Sequence, residues 1–366
     1  MSTGVPTIRA PAMAPPPKAV PMSSPAPALP ATTTLADRAD SALASFLDSY
    51  WDPDRQYFTT YSDRRRHPEH AFGPADGLYS DFWWEAQLWD LVMDAYERTG
   101  DQAHEELVHA VYDGFAAAYP TFVNDYNDDV GWWAQGSARA YELTGVPRYL
   151  DRARELLDSI WEQRDATGGI WWRRSVRDQR NVATNGPAAI TAVKVYAATG
   201  DTQYLDRAQT LYSWIKSNLQ SRGQVYDRLE HGVLVKNNHT YNAGNYIGAA
   251  TALYGATCDG SYLSDALSAA DWVASQPYAD GVLPYEGVGD GAGFKPILVR
   301  QLHRLAVELG QPQYLPFLRH NAERAWRNRR TSDGLIGPDW NSPAPNGPLQ
   351  SLTAGAGAAL LQIVAL

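Results

Sequence analysis

Two kinds of helical pattern alternate along the chain. In "YLDRARELLDSIWEQR" (149–164) apolar residues recur three or four apart and charged residues fill the other positions, so one face is buried and one is wet. In "YNAGNYIGAATALYGA" (241–256) and "LTAGAGAALLQ" (352–362) charge is absent and Gly and Ala abound, as expected for a helix buried all round. Between the two kinds stands a recurring phrase: "RTGDQAHEELVHA" from Arg98, "LTGVPRYLDRARE" from Leu143, "ATGDTQYLDRAQT" from Ala198, "ATCDGSYLSDALS" from Ala256 and "ELGQPQYLPFLRH" from Glu308. Gly in its third position stops a helix, because glycine enters the left-handed region without a Cβ clash. The Asp or Pro that follows opens the next helix as cap or first-turn residue. Each phrase is therefore a tight turn between antiparallel helices.

Counting from these turns predicts buried helices over roughly 82–98, 131–143, 186–198, 242–256, 295–308 and 349–365. Amphipathic helices are expected over roughly 35–50, 102–118, 148–163, 203–219, 261–275 and 313–328. Six buried helices inside six amphipathic ones make an all-α (α/α)6 barrel, a toroid of 35–366. A linear solenoid would not separate its helices so sharply into two sets. Residues 1–34, which include "APAMAPPPKAVPMSSPAPALPATTT", are Pro/Ala-rich and expected to form a disordered or extended tail.

In such a barrel every inner helix begins at one rim, and the unusual motifs fall there: "SDFWWEAQLW" (80–89), "YNDDVGWWA" (126–134), "NVATNGPAA" (181–189), "HTYNAGNYIGAA" (239–250) and "GFKPILVRQL" (293–302). A cup at that rim is the default site. Asp128 and Asp129 stand side by side in it. Either acid alone reads as a helix cap. Together in a partly dry cleft they cannot both ionise easily, and one ionised plus one protonated carboxyl is what glycosidic cleavage uses. Neighbours on a helix differ by about 100°, so one Trp of each double-Trp pair can pack inward while the other faces the cup. Trp84 and Trp133 are the candidate sugar platforms. Gln87, Asn185, Tyr241, Asn242 and Lys295 are the candidate partners for hydroxyls.

Composition narrows the ligand. Thirteen Trp and 21 Tyr against eight Phe suit a half-wet groove. The 366 residues carry 31 Lys plus Arg against 41 Asp plus Glu, a net charge of −10, which argues against nucleic acid. An acidic sugar would want a basic cup, yet only Lys295, Arg173 and Arg174 are candidates to supply one. Cys258 is the single cysteine, and "HPEH" (67–70) lacks the spacing of a helical zinc site, so no metal is expected. No run approaches the ~20 apolar residues that span a bilayer. The chain as written also lacks the roughly 7–15-residue apolar stretch of an export signal, which places it in the cytoplasm, or outside the cell if a leader precedes it. No cofactor is expected, and the chain is expected to be a monomer.

"NDDVGWWA", "GGIWW" (168–172), "TYNAGNYIGA", "GFKPILVRQL" and the "TGDxxYLxxA" phrases resemble glycoside hydrolase family 76, the endo-α-1,6-mannanases, from about residue 35 to the C-terminus. The resemblance implies an (α/α)6 barrel and a retaining double displacement on α-1,6-linked mannose, with Asp128 as nucleophile and Asp129 as general acid/base. Two departures stand out: Ala243 where the family commonly has Gln, and Gln135–Gly136 where it has Leu-Ala. A transglycosylase, a hydrolase for another glycan on the same fold, and a non-catalytic glycan-binding toroid are the competing readings.

Overall fold

Twelve helices of 13 to 18 residues alternate along residues 33–366, the part of the chain described by the computed structural model. The expected tail lies outside the described residues except for Thr33 and Thr34. In chain order the helices are α1 (Leu35–Tyr50), α2 (Phe82–Thr99), α3 (Gln102–Ala118), α4 (Asn127–Thr144), α5 (Pro147–Trp161) and α6 (Val182–Thr199). They continue as α7 (Thr202–Leu219), α8 (Thr240–Thr257), α9 (Gly260–Ala274), α10 (Phe294–Val307), α11 (Leu315–Arg327) and α12 (Ser351–Val364).

The even-numbered helices close a ring: each packs on the next, and α12 packs back on α2. The odd-numbered helices lie against the ring from outside. This is the (α/α)6 toroid. All fourteen residues of α12 are buried. Small residues are what let the inner helices approach: a Cβ on Gly244 of α8 would sit 2.7 Å from the backbone Cα of Leu298 on α10.

The turns behave as the phrases predict. Gly100, Gly145, Gly200 and Cys258 are all left-handed, with φ of 64°, 69°, 72° and 58°. Each donates its N–H at 2.8 Å to the carbonyl of a tyrosine four residues back, Tyr96, Tyr141, Tyr196 and Tyr254. Asp101, Asp201 and Asp259 then cap the outer helices that follow. The fifth turn differs, because α10 ends at Val307 and a 3-10 turn at Pro312–Tyr314 precedes α11.

Towards that end of the barrel the interior is ionic. Arg139 of α4 donates to Asp90 (2.9 Å), Asp94 (2.8 Å) and Glu97 (2.6 Å) of α2. Arg300 of α10 adds two bonds to Asp94 Oδ2, at 3.0 and 2.7 Å. Burial pushes the Asp90 carboxyl up, but Arg300 and Arg139 outweigh it and hold the group below its ordinary range.

At the other end two of the inner helices begin well before their expected starts. The second starts at Asn127 and the third at Val182, four residues before the expected positions, with Pro187 inside α6. Proline carries no N–H for the helical ladder, yet α6 runs through Pro187. Short strands also appear that helical periodicity does not announce. β1 (Trp51–Asp52) pairs with β2 (Tyr57–Phe58), and β4 (Gln220–Ser221) with β5 (Gln224–Val225). β3 (Gln179–Asn181), β6 (Arg228–Glu230) and β7 (Val233–Val235) form an antiparallel sheet in the order β3-β6-β7, and its first two strands line the site.

Candidate active site

A cup of about 970 Å³ opens where the inner helices start. Its wall takes Trp83 and Trp84 from α2, Asp128, Asp129 and Trp132 from α4, Tyr241 just inside α8 and Phe294 at the start of α10. Six carboxyl groups line it (Asp81, Asp128, Asp129, Asp227, Glu230 and Asp290) against the cationic Arg228 and His70, whose imidazole burial pushes towards the neutral form. Arg228 is already paired with Asp227 (2.5 Å) and Glu230 (3.1 Å). The lining thus offers an anion no unpaired arginine, which suits neutral ligands better.

The acid pair occupies the first turn of α4 rather than the position before it. The residue in the capping position is Tyr126, which makes no side-chain cap bond. Asp128 Oδ2 accepts from the indole of Trp172 at 2.9 Å, and its Oδ1 accepts from the backbone of Asp129 at 3.1 Å. Asp129 Oδ2 accepts from the amide of Asn124 at 2.6 Å. Burial raises both acids: Asp128 to about 7, with Trp172 and the Asp129 N–H pulling against the rise. Asp129 is pushed well above the ordinary range by burial and then by the Asp128 charge. Two N–H donors favour the charged form of Asp128, while its neighbour has one and faces a like charge. The first proton to leave the pair therefore comes from the Asp128 side.

Residues 34–363 match the sequence pattern described as Glycosyl hydrolase family 76. The chain belongs to this family. A curated relative, the mannan endo-1,6-alpha-mannosidase DCW1 of Saccharomyces cerevisiae, is 26% identical over 251 residues, 60% of this chain and 55% of the yeast protein. The chain thus spans about half the length of the curated relatives it matches. Among solved structures, the GH76A alpha-1,6-mannanase of Salegentibacter sp. HEL1_6 has a TM-score of 0.82 at 30% identity, covering 91% of this chain and 99% of that one. An inactive variant of that mannanase, with Asn in place of two consecutive aspartates, is similar at TM-score 0.82 and 29% identity over the same shares, and holds alpha-1,6-mannotriose.

Within this family 76 cup the structure brings together only some of the expected residues. Asp128, Asp129, Trp84 and Tyr241 line it. Trp84 donates its indole N–H to Asp290 at 2.9 Å, and the Tyr241 hydroxyl donates to Asp227. Trp133 does not line it. Its ring stacks on Phe115 at 3.7 Å and its N–H reaches the Phe82 carbonyl at 2.8 Å, so the helical turn sends Trp132 to the cup instead. Gln87 is buried deeper, between α2, α10 and α12. Asn185 is taken up by the Ile170 N–H (2.8 Å) and the Asn181 carbonyl (2.8 Å), and Asn242 by the Asn237 carbonyl (3.1 Å). These amides lie within the helices and serve the backbone of the incoming connections. Lys295 is buried against Trp340 with its ammonium on the Pro338 carbonyl at 2.6 Å. Arg173 and Arg174 are likewise absent from the lining.

Sequence reasoning missed Asp81, Asp227 and Asp290. Asp81 caps α2 by accepting from the Trp84 N–H at 3.1 Å, and burial raises its carboxyl to about 7. It stood inside "SDFWW", a motif already assigned to the mouth. Asp227 comes from "VYDRLE" beside β6, and Asp290 from the "GDGAG" turn. Neither carries a local signal, and only the closed ring brings them to the acid pair.

Proposed function

We propose that this chain hydrolyses α-1,6-linked mannose chains by a retaining double displacement. An Asp128 oxygen attacks the anomeric carbon while Asp129 gives its proton to the departing glycosidic oxygen. Asp129 then takes a proton from water, whose oxygen attacks the same carbon and releases Asp128. The observation that carries the reading is the unequal surroundings of two neighbouring acids in one cup. Asp128 receives N–H donors from Trp172 and Asp129, which favour its charged form, and that charge keeps the proton on its neighbour.

The acidic lining supports a neutral glycan over a uronide. The relatives' names support mannan, and the paired Asn substitutions of the inactive Salegentibacter variant support two consecutive aspartates as the reacting groups. The test is release of reducing ends from linear α-1,6-mannan, with the anomer of the fresh product read by NMR. Asp128→Asn and Asp129→Asn should each lower the rate by about a thousandfold or more, since each removes a reacting group. Near-wild-type release by either variant, or a β product, overturns the reading.

A further inference from the structure

The mouth of the cup carries features that the reacting carboxyls do not need. Among the described residues three aromatic rings are exposed, Phe72 (71%), Tyr126 (38%) and Tyr285 (55%). Phe72 and Tyr126 both line the cup. A lone exposed ring is ordinary on a protein surface. These two, however, are the outermost members of ladders that run inward, one to Trp84, which donates to Asp290, and the other to Trp172, which donates to Asp128. On one side Phe72 meets His70 edge-on at 5.7 Å, and His70 stacks on Trp84 at 4.3 Å. On the other side Tyr126 lies 5.1 Å from Trp172, the residue that donates to Asp128. Trp84 belongs to α2, Trp172 to the connection that leads to α6, and α4 packs between α2 and α6. The ladders therefore flank the acid pair.

A second observation marks the Phe72 side as unfinished. His70 Nε2 is buried without a hydrogen-bond partner, and Asp81 Oδ2 stands 3.5 Å away, too far for a good bond. Buried polar groups are nearly always paired. Both residues line the cup, so a hydroxyl between them would accept from the imidazole N–H and donate to the carboxylate.

We infer that Phe72 with His70, and Tyr126 with Trp172, form the two end subsites of a track that binds a chain of neutral hexose units across the acid pair. The inference rests on the functional reading above. Aromatic faces cover the apolar C–H face of a sugar ring, and the carboxyl-rich lining, whose arginine is already paired, offers no free guanidinium to an anionic chain.

Calorimetry on the Asp128→Asn/Asp129→Asn protein, with α-1,6-linked mannotriose and mannohexaose, tests it. The hexaose should bind about tenfold or more tighter than the triose. Adding Phe72→Ala or Tyr126→Ala should each remove about tenfold of the hexaose affinity and a smaller share of the triose affinity. Both rings are exposed, so unchanged melting temperatures will show that the variants fold. Equal affinity for the two lengths, or a length preference that survives both alanine variants, overturns the inference. Failure of the functional reading shows separately, as wild-type protein that releases no reducing ends from mannan.

Discussion

Where the inner helices end, Asp90 is buried and Glu97 partly exposed among arginines; where they begin, Asp128 and Asp129 are half-buried among indoles and amides. All four pay for leaving water, yet the shifts run in opposite directions. Burial alone raises a carboxyl. At the closed end Arg139 with Arg300 or Arg304 reverses that for Asp90 and Glu97. At the cup no cation among the described residues pairs with the two acids, whose partners are N–H donors, and both groups stay raised. The closed end is built to hold charge. The open end keeps two neighbouring acids raised above the ordinary carboxylate range.

The sharpest way to break this comparison is to remove the cation that reverses the shift. Arg139→Met leaves Asp90, Asp94 and Glu97 short of a partner in the interior and should lower stability by about 3–5 kcal/mol at neutral pH. Urea unfolding followed by circular dichroism measures it. A loss below about 1 kcal/mol would mean that Arg300 and Arg304 suffice, and that the closed end is over-supplied with positive charge.

The matched change at the cup should act in the opposite sense. In the unfolded chain an aspartate ionises near pH 4. In the fold the pair keeps its protons to about pH 7 and beyond. Between those limits the native state binds more protons, so the pair lowers stability as pH rises. Asp128→Asn/Asp129→Asn should therefore be more stable than wild type by about 1–3 kcal/mol at pH 7.5, with the gain fading towards pH 4. Asp90 and Glu97 are held low, so their contribution is present above pH ~4 and lost as pH falls through their folded values. Melting curves from pH 3 to 8 separate the two ends. The same raised pair puts the rising limb of kcat/KM above the ordinary carboxylate range, and a limb near pH 4 would contradict it.

The two ends also differ in how much of them is legible in the sequence. A helix stop at Gly145, a cap at Asp201 and the stripe of "YLxxA" are written within a few neighbouring residues, so the turns, the helix count and the two helix classes follow directly. The cup is assembled from connections far apart in the chain. Asp81, Asp227 and Asp290 meet the acid pair only because the ring closes, and the three-residue strands β3 and β6 are too short to show a period of two. Even the Trp132–Trp133 pair reads correctly only once α4 is known to start at Asn127, which sets the helical phase. Asn185 and Asn242 were placed at the right rim, but one turn inside a helix the backbone of an incoming loop claims the amide first.

The smallest effect tests how regular the closed end is. Cys258 stands where Gly100, Gly145 and Gly200 stand in the other phrases, with the same left-handed φ and the same 2.8 Å bond to a tyrosine carbonyl. A side chain there carries about 1–2 kcal/mol of steric cost. Glycine relieves it but has more freedom to lose on folding, about 0.5–1 kcal/mol. Cys258→Gly should thus stabilise the protein by roughly 0.5–1 kcal/mol, and Gly200→Ala should destabilise it by a similar amount. Cys258 is exposed, so neither the thiol nor a packing contact offsets the exchange. An unchanged or lowered unfolding midpoint for Cys258→Gly would show that the fourth turn is held by its surroundings rather than by its own backbone preference, and the closed end would then be less repetitive than its phrases.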